Sequence, residues 1–168
     1  TFTLTGAPQA HAAQSVSDIA DSSAAALVHA LLGDATPVSN ATLTGSALAA
    51  GTFAGFDELG FPEGVVLSTG HVETAQGHKS SLLGPNDESG NTGDLGLGGD
   101  PDLDVIVAPY TTTDATVLEF DFVPSAATVT FSYVFGSEEY TEYVDSNFND
   151  VFAFFVNGTN HATFVGDD

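Results

Sequence analysis

The sequence contains no Cys, Met, Trp or Arg, and Lys79 is its single basic residue apart from five His. Without Cys it can form neither disulfide bonds nor thiolate metal sites, and it lacks a Cys nucleophile. With one Lys and no Arg it has almost no side chains that could bind phosphate through charge-assisted hydrogen bonds. It also has no run of 18 apolar residues, so we expect no insertion into a membrane.

Acidic residues make up nearly all of the charged side chains. The 168 residues include 23 Asp and Glu, which gives a formal net charge of −22. Nucleic acid and anionic membrane surfaces repel such a chain, so neither is an expected partner. Hydrophobic residues nevertheless make up 42%, with 13 Phe, and a chain of this length can bury a core. The composition therefore predicts one acidic folded domain.

The N-terminal residues 1–14 are predicted to be an extension, and residues 15–168 a single β-sandwich domain. The chain does not begin with Met, so we expect a processed chain or part of a gene product. Ala10-His11-Ala12 has the small-x-small form of a signal-peptidase site, which makes residues 1–12 a candidate signal-peptide remnant. Chance within an Ala-rich segment is the alternative.

One helix is predicted from apolar residues that recur from Val16 to Leu32 with a period of 3.6. Ser15 is the expected N-cap, with Asp18 three residues later in a capping-box position. Gly33 is expected to end the helix. We expect this helix to pack on a sheet through its Ala and Leu side chains.

After Gly33 the sequence changes to short β-type runs between Gly-rich turns. Asn157-Gly158 is a favourable two-residue hairpin turn. Repeated short strands with such turns predict a mainly β fold, a β-sandwich or jelly roll with one N-terminal helix. The expected strands are residues 37–43, 64–68, 116–123, 128–135, 151–156 and 161–165.

The first candidate metal site lies in Gly99-Asp100-Pro101-Asp102-Leu103-Asp104. If the segment is extended, Asp100, Asp102 and Asp104 point to one side. Three carboxylates on one face repel each other unless a cation or water screens them, and hard oxygen ligands suit Ca²⁺. The EF-hand pattern fails because Val105 and Thr111 stand at its Gly and carboxylate positions. A solvated acidic loop is the rival interpretation.

The second candidate site is an acidic and amide-rich loop between two very apolar runs. It is a plausible Ca²⁺ site because rigid strands would hold its oxygen ligands. Capping of strand ends by Asn and Asp side chains is the alternative. The candidate ligands here are Glu138, Glu139, Asp145, Asn147, Asn149 and Asp150.

Two other functions stay open from the residues alone. Glu138 and Glu142 could serve as the paired acids of a glycoside hydrolase if their carboxylates lie at the required separation. Any chain this acidic offers such pairs, so the signal is weak. Carbohydrate binding would use aromatic faces for stacking, although Trp is absent; the candidates are Tyr110, Tyr133, Tyr140 and Tyr143.

Several blocks in order resemble one bacterial family. They include Gly64-Val65-Val66-Leu67-Ser68-Thr69-Gly70, Ser137-Glu138-Glu139-Tyr140 and Phe148-Asn149-Asp150-Val151-Phe152. Across roughly residues 15–165 the chain is similar to the choice-of-anchor L domain. The resemblance implies a secreted or surface-displayed β-rich module with a variable C-terminal anchor. It implies no enzymatic activity, so no catalytic residue is assigned.

The resemblance also bears on partners. Family members look longer, with further strands after the Asn157-Gly158 turn, so this chain is expected to lack strands that complete its sandwich. An open sheet edge favours pairing with another strand. The expected partners are other copies of the chain or the remainder of a cleaved precursor, bound by β-strand addition. Surface glycans are a further expected partner.

Overall fold

A computed structural model describes residues 13–19, 23–60, 62–73, 93–137, 143–144, 146, 148 and 150–163. Within these residues the fold is mainly β, with antiparallel strands and two α-helices. Short 3₁₀ turns lie at Ala47–Ala49 and Asp57–Leu59. In chain order the elements are β1 (Ser15–Asp18), α1 (Ala24–Leu32), β2 (Val38–Thr44), β3 (Ala50–Ala54), β4 (Glu63–Leu67), α2 (Pro101–Val107), β5 (Val117–Phe122), β6 (Phe155–Val156) and β7 (Thr159–Asn160).

The strands in the described residues form three antiparallel sheets. The first has the order β1-β3-β4, and the second pairs β2 with β5. The third is the hairpin of β6 and β7. Its turn has positive φ at Asn157 and Gly158, 50° and 78°, which is the backbone of a type I′ turn. The predicted hairpin turn is therefore confirmed.

An extra residue in β2 interrupts its ladder with β5. The register shifts between Ser39 and Thr42, and Asn40 between them has φ 53°. Asn tolerates this left-handed conformation better than most residues. The Asn40 side-chain amide donates to the Asp121 carboxylate on β5 at 2.6 Å. This pair fixes the position of a β-bulge.

Helix α1 begins later than predicted. Ser23 is its N-cap, and the Ser23 hydroxyl accepts from the Ala26 N–H at 3.4 Å. The prediction that Ser15 begins the helix is wrong, because Ser15–Asp18 is strand β1 and pairs with β3 from Ser15↔Ala54 to Asp18↔Gly51. Sheet pairing thus overrides the helical period in these residues. The predicted end is confirmed, since the Gly33 N–H donates to the His29 carbonyl at 2.8 Å.

The core lies where α1 meets both larger sheets. Leu27 and Val28 of the helix are fully buried. Leu27 belongs to a buried cluster with Ile19 and Ala50. The partly buried side chains packed against this cluster come from both sheets and the turn before β3; they are Leu43, Ala47, Val65 and Leu118. The helix therefore joins the two sheets through one apolar contact region.

The predicted strands fall into two groups. Those at 37–43, 64–68 and 116–123 are confirmed to within about one residue, as β2, β4 and β5. Residues 128–135 form no strand in the described chain, and only Phe155–Val156 of the 151–156 run does so. The strand predicted at 161–165 is displaced to Thr159–Asn160, and residues 164 and 165 lie outside the described residues. Strands β1 and β3 and helix α2 were not predicted.

Candidate functional site

The first acidic segment is helical, so the expectation of an extended strand with three carboxylates on one side is wrong. Asp100 caps α2, and its Oδ1 accepts from the N–H groups of Asp102 at 2.9 Å and Leu103 at 3.2 Å. Pro101 occupies the first turn, where its missing N–H costs nothing. The carboxylate of Asp100 thus satisfies the backbone donors at the start of the helix.

Asp104 has a separate partner in Thr112. The Asp104 Oδ1 accepts from the Thr112 N–H at 2.6 Å and from the Thr112 hydroxyl at 2.7 Å. The same hydroxyl oxygen accepts from the Asp100 N–H at 2.9 Å. Thr112 therefore fastens the loop after α2 to the first turn of the helix.

These hydrogen bonds change the acidity of Asp104. The bond from the Thr112 backbone N–H, and then that from its hydroxyl, hold the pKa of Asp104 below its usual value. Such a group stabilises the fold at pH values above its unfolded pKa of about 3.9. That contribution is lost as the pH falls through the lower folded pKa. The contact is thus present throughout the neutral range.

The structure describes only some of the predicted calcium ligands. Asp102 and Asp150 are exposed, while Asp100 and Asp104 have the backbone partners given above. Within the described residues, no three His, Asp or Glu side chains form a group that could hold a metal ion. The remaining predicted ligands, Glu138, Glu139, Asp145, Asn147 and Asn149, lie outside the described residues. The calcium site therefore stays a prediction.

A buried carboxylate that the sequence analysis missed holds the segment before α2. Asp114 is 7% exposed and has φ 51°. Its Oδ1 accepts from the Leu97 N–H at 2.6 Å and its Oδ2 from the Leu95 N–H at 3.1 Å. The Asp114 N–H in turn donates to the Leu97 carbonyl at 3.1 Å. Tolerance of the left-handed region by Asp was the only signal in the sequence.

An open cleft of about 300 Å³ lies beside the segment that Asp114 holds by these hydrogen bonds. Glycine backbone forms much of its wall, and its single charged side chain is Asp100, which already caps α2. The lining residues are Thr44, Gly45, Leu97, Gly98, Gly99, Asp100, Ala115 and Val117. The cleft has the space for a small group but few polar side chains to orient one.

Gly98 and Gly99 are adjacent in the wall of this cleft, and together they allow a matched test of the close contact between Gly99 and Thr112. A Cβ on Gly99 would overlap the Thr112 carbonyl oxygen and hydroxyl, whereas a Cβ on Gly98 meets nothing within 4 Å. We expect Gly99→Ala to lower the free energy of unfolding by about 1–3 kcal/mol. Gly98→Ala should change it by less than about 1 kcal/mol. Urea unfolding of both variants measures this, and equal losses would contradict the contact.

Five aromatic side chains form a partly exposed cluster, here called the aromatic face: Phe131, Tyr133, Phe135, Phe152 and Phe154. Ring centroids lie 4.5 Å apart for Phe131–Phe154 and 4.9 Å apart for Tyr133–Phe152. The Phe135 and Phe152 centroids are 6.3 Å apart. Tyr133 is 49% exposed, Phe135 51% and Phe152 37%. Phe131 and Phe154 are half-buried, so three of the five rings are exposed to solvent.

The two segments that carry this face run in opposite directions, since residue 131 meets 154 and residue 133 meets 152. Neither residues 128–135 nor 150–154 belong to a strand in the described chain. Val129 and Val134 are also exposed. The sequence predicted strands here, and the structure instead shows an apolar pair of segments without a ladder.

The described Tyr candidates for carbohydrate stacking have different surroundings. Tyr143 packs edge-on against Phe148, with ring centroids 5.3 Å apart. Tyr110 is exposed after α2, whereas Tyr133 belongs to the aromatic face. Tyr140, Glu138 and Glu142 lie outside the described residues, and the paired-acid hypothesis stays untested.

Comparison with known families identifies the chain. The sequence model of the Choice-of-anchor L domain matches residues 15–166, nearly the whole chain. The chain belongs to the choice-of-anchor L domain family. For this choice-of-anchor L domain, membership implies a surface-associated or secreted protein, and the family is not a known enzyme family. Searches of curated proteins and of solved structures found no match. In the described part, neither helix has the length and apolarity to cross a membrane.

Proposed function

We propose that this choice-of-anchor L domain is a non-catalytic extracellular bacterial module for adhesion or surface assembly, and that it binds another protein through the aromatic face. The observation that carries the proposal is the exposure of Tyr133, Phe135 and Phe152 in one contiguous ring cluster. Contiguous exposed apolar surface marks interaction sites. Covering these rings with a partner would remove apolar area from water and favour binding.

The chemistry of the face favours a protein partner over a sugar. Four of its five side chains are Phe, which cannot hydrogen-bond, and Tyr133 supplies the one hydroxyl. Residues 128–135 also lie outside any described ladder, so their backbone can pair with an added strand. A second copy of the chain and the remainder of a precursor are both candidate strands. Adhesion and assembly are two uses of the same binding event.

The first experiment measures adhesion directly. Beads coated with the domain should adhere to surface fragments of the bacterium that produces it. Phe135→Ser should reduce the number of bound beads by about tenfold or more, because exposed aromatics at interface centres contribute most of the affinity. Val105→Ser is the matched control, since Val105 is 78% exposed but lies on α2. Equal adhesion of all three proteins would overturn the proposal.

Carbohydrate binding is the second candidate. Tyr133 and Phe152 form an exposed ring pair, and sugars stack on such rings. In the sequence, the acidic residues between 137 and 150 separate these two aromatic residues. Adhesion that free glycans block, and that extracted surface proteins do not, would favour this candidate over a protein partner.

Calcium stabilisation is part of the proposal. At a net charge of −22 the folded chain repels itself, and bound divalent cations would relieve this repulsion. Because Asp100 and Asp104 already accept backbone N–H groups, we place the calcium dependence in the second acidic cluster, with Asp145 and Asp150. An ion that binds only the folded chain stabilises it by mass action.

Thermal unfolding in CaCl₂ and in EDTA tests this. With a Kd of about 10⁻⁴ M, as in extracellular modules, about 5 mM Ca²⁺ would add about 2 kcal/mol to the free energy of unfolding. The melting temperature would then rise by about 4–8 °C. Asp145→Asn with Asp150→Asn should abolish this rise, and Asp102→Asn should preserve it. An equal rise in NaCl of the same ionic strength would show charge screening and contradict a specific site.

A further inference from the structure

We propose that Asn157 is a site of spontaneous deamidation, and that its conversion to isoaspartate opens the hairpin of β6 and β7. Asn157 is the one Asn in the sequence that a Gly follows. The nucleophile of this reaction is the backbone nitrogen of the next residue, and Gly leaves that nitrogen unhindered because it has no Cβ. Asn157 therefore has the highest intrinsic reactivity of the Asn residues in the chain.

The reaction consumes only water. The Gly158 backbone nitrogen loses its proton to hydroxide and bonds to Cγ of Asn157, and the Cγ–Nδ2 bond breaks to release ammonia. Water then opens the resulting succinimide ring. Breaking the bond between the Gly158 nitrogen and Cγ gives aspartate, whereas breaking the bond from that nitrogen to the backbone carbonyl carbon gives isoaspartate. Either product carries one more negative charge than Asn.

The structure leaves the Asn157 amide accessible at the tip of the hairpin. Asn157 and Gly158 are exposed, and within the described residues no hydrogen bond holds the Asn157 side chain. Other described Asn side chains are held. The Asn40 amide donates to the Asp121 carboxylate at 2.6 Å, and the Asn160 Oδ1 accepts from two backbone N–H groups.

The folded turn keeps the reacting atoms apart. In a type I′ turn ψ of the first central residue is about +30°, which directs the next backbone nitrogen away from Cβ and so away from Cγ. Ring closure needs these atoms in contact, so the hairpin must open first. Strands β6 and β7 have two residues each, and Phe155 and Val156 are exposed. Such a short, exposed ladder opens at a low free energy, whereas Asn40 lies within the longer pairing of β2 with β5.

Isoaspartate is incompatible with this turn. It adds one CH₂ to the main chain between the two turn residues, and the register of β6 with β7 depends on a two-residue connection. The base of the hairpin holds Phe154, whose N–H donates to the Asn160 Oδ1 at 3.1 Å and whose carbonyl accepts from the His161 N–H at 2.7 Å. The Phe154 ring stacks on Phe131. Deamidation would therefore release one ring of the aromatic face, and it needs no bound partner to do so.

Peptide mapping tests the site. The full chain is incubated at neutral and at mildly alkaline pH, and its chymotryptic peptides are analysed by mass spectrometry, with fragmentation that distinguishes isoaspartate from aspartate. We expect deamidation at Asn157 to be at least about tenfold faster than at Asn40 or Asn160. The rate should rise with pH, because the attacking nitrogen must lose its proton. Equal rates at these three sites, or none at Asn157, would overturn the proposal.

Asn160→Ala tests whether opening of the hairpin limits the rate. It removes the acceptor of two N–H groups at the base of the hairpin, so deamidation at Asn157 should be about fivefold faster or more. Urea should accelerate the wild type in the same direction. Val105→Ala, at an exposed position on α2, should leave the rate unchanged, and circular dichroism checks the fold of both variants. An unchanged rate in Asn160→Ala and in urea would contradict control by the hairpin.

Amide exchange measures the structural consequence. Aged wild type enriched in isoaspartate should exchange the amides of Phe154 and Ala162 at least about fivefold faster than fresh protein. Freshly purified Asn157→Asp is the matched control, because it carries the added charge on a main chain of normal length and Asp-Gly suits the same turn. It should keep the slow exchange. Equal acceleration in Asn157→Asp would assign the effect to charge, and unchanged exchange in the isoaspartate form would overturn the opening of the hairpin.

Discussion

Leu27→Ala is expected to lower the free energy of unfolding by about 2–5 kcal/mol, the range for truncating a buried Leu. Leu27 is 0% exposed and belongs to the cluster with Ile19 and Ala50. Side chains of the other sheet, Leu43 and Leu118, pack against that cluster. The substitution would therefore leave a cavity at the junction of the helix with both sheets, where the surroundings cannot easily collapse.

Urea unfolding followed by circular dichroism measures the loss. Val105→Ala on α2 removes a side chain of similar type that is 78% exposed, and should change stability by less than about 0.5 kcal/mol. The gain in helix propensity from Leu to Ala is small beside the cavity cost. A loss below about 1 kcal/mol for Leu27→Ala would contradict the shared core.

Asp114→Ala is expected to lower the free energy of unfolding by about 2–4 kcal/mol. Two backbone N–H groups, of Leu95 and Leu97, lose their acceptor, and a lost partner at a buried site costs about 1–3 kcal/mol. Ala must also take up φ 51°, at a cost of about 1–2 kcal/mol. Amide exchange at Leu95 and Leu97 should accelerate more than elsewhere in the chain.

Asp114→Asn is the matched control for the hydrogen bonds that Asp114 accepts from Leu95 and Leu97. Asn keeps one side-chain oxygen as an acceptor and tolerates the left-handed conformation. It should therefore lose less than about half of what Ala loses. Equal losses for Asn and Ala, with unchanged exchange at Leu97, would show that the carboxylate does not hold the segment.

Sequence alone placed the elements that are bounded by strong local signals. Gly33 and the Asn157-Gly158 turn sit where predicted because their backbone needs positive φ, and Gly or Asn meets that need. Strand β5 is predictable because apolar and acidic residues alternate along it, and β2 and β4 because they are short β-type runs between Gly-rich turns. Strand β3 was missed, since Ala50–Ala54 holds one large apolar residue, Phe53, and becomes central only through pairing with β1 and β4.

Two predictions are wrong for different physical reasons. Ser15–Asp18 fits a helical period, but tertiary pairing with β3 decided its conformation. In the acidic segment, Asp100 followed by Pro101 is an N-cap signature, and this local signal determines the conformation. Thr112 could not be foreseen as the partner of Asp104, because that contact depends on how the loop after α2 turns back. The aromatic face was foreseen as strands but not as an uncovered surface.

The bulge at Asn40 has a consequence for how the β2–β5 ribbon can assemble. If β2 slid by one residue along β5, the bulge site would pass to Ser39 or Ala41, and neither accepts positive φ as readily as Asn. The slide would also separate the Asn40 amide from Asp121 and turn the inward side chains of β2 outward. The bulge therefore favours a single register between β2 and β5 whenever the two strands pair.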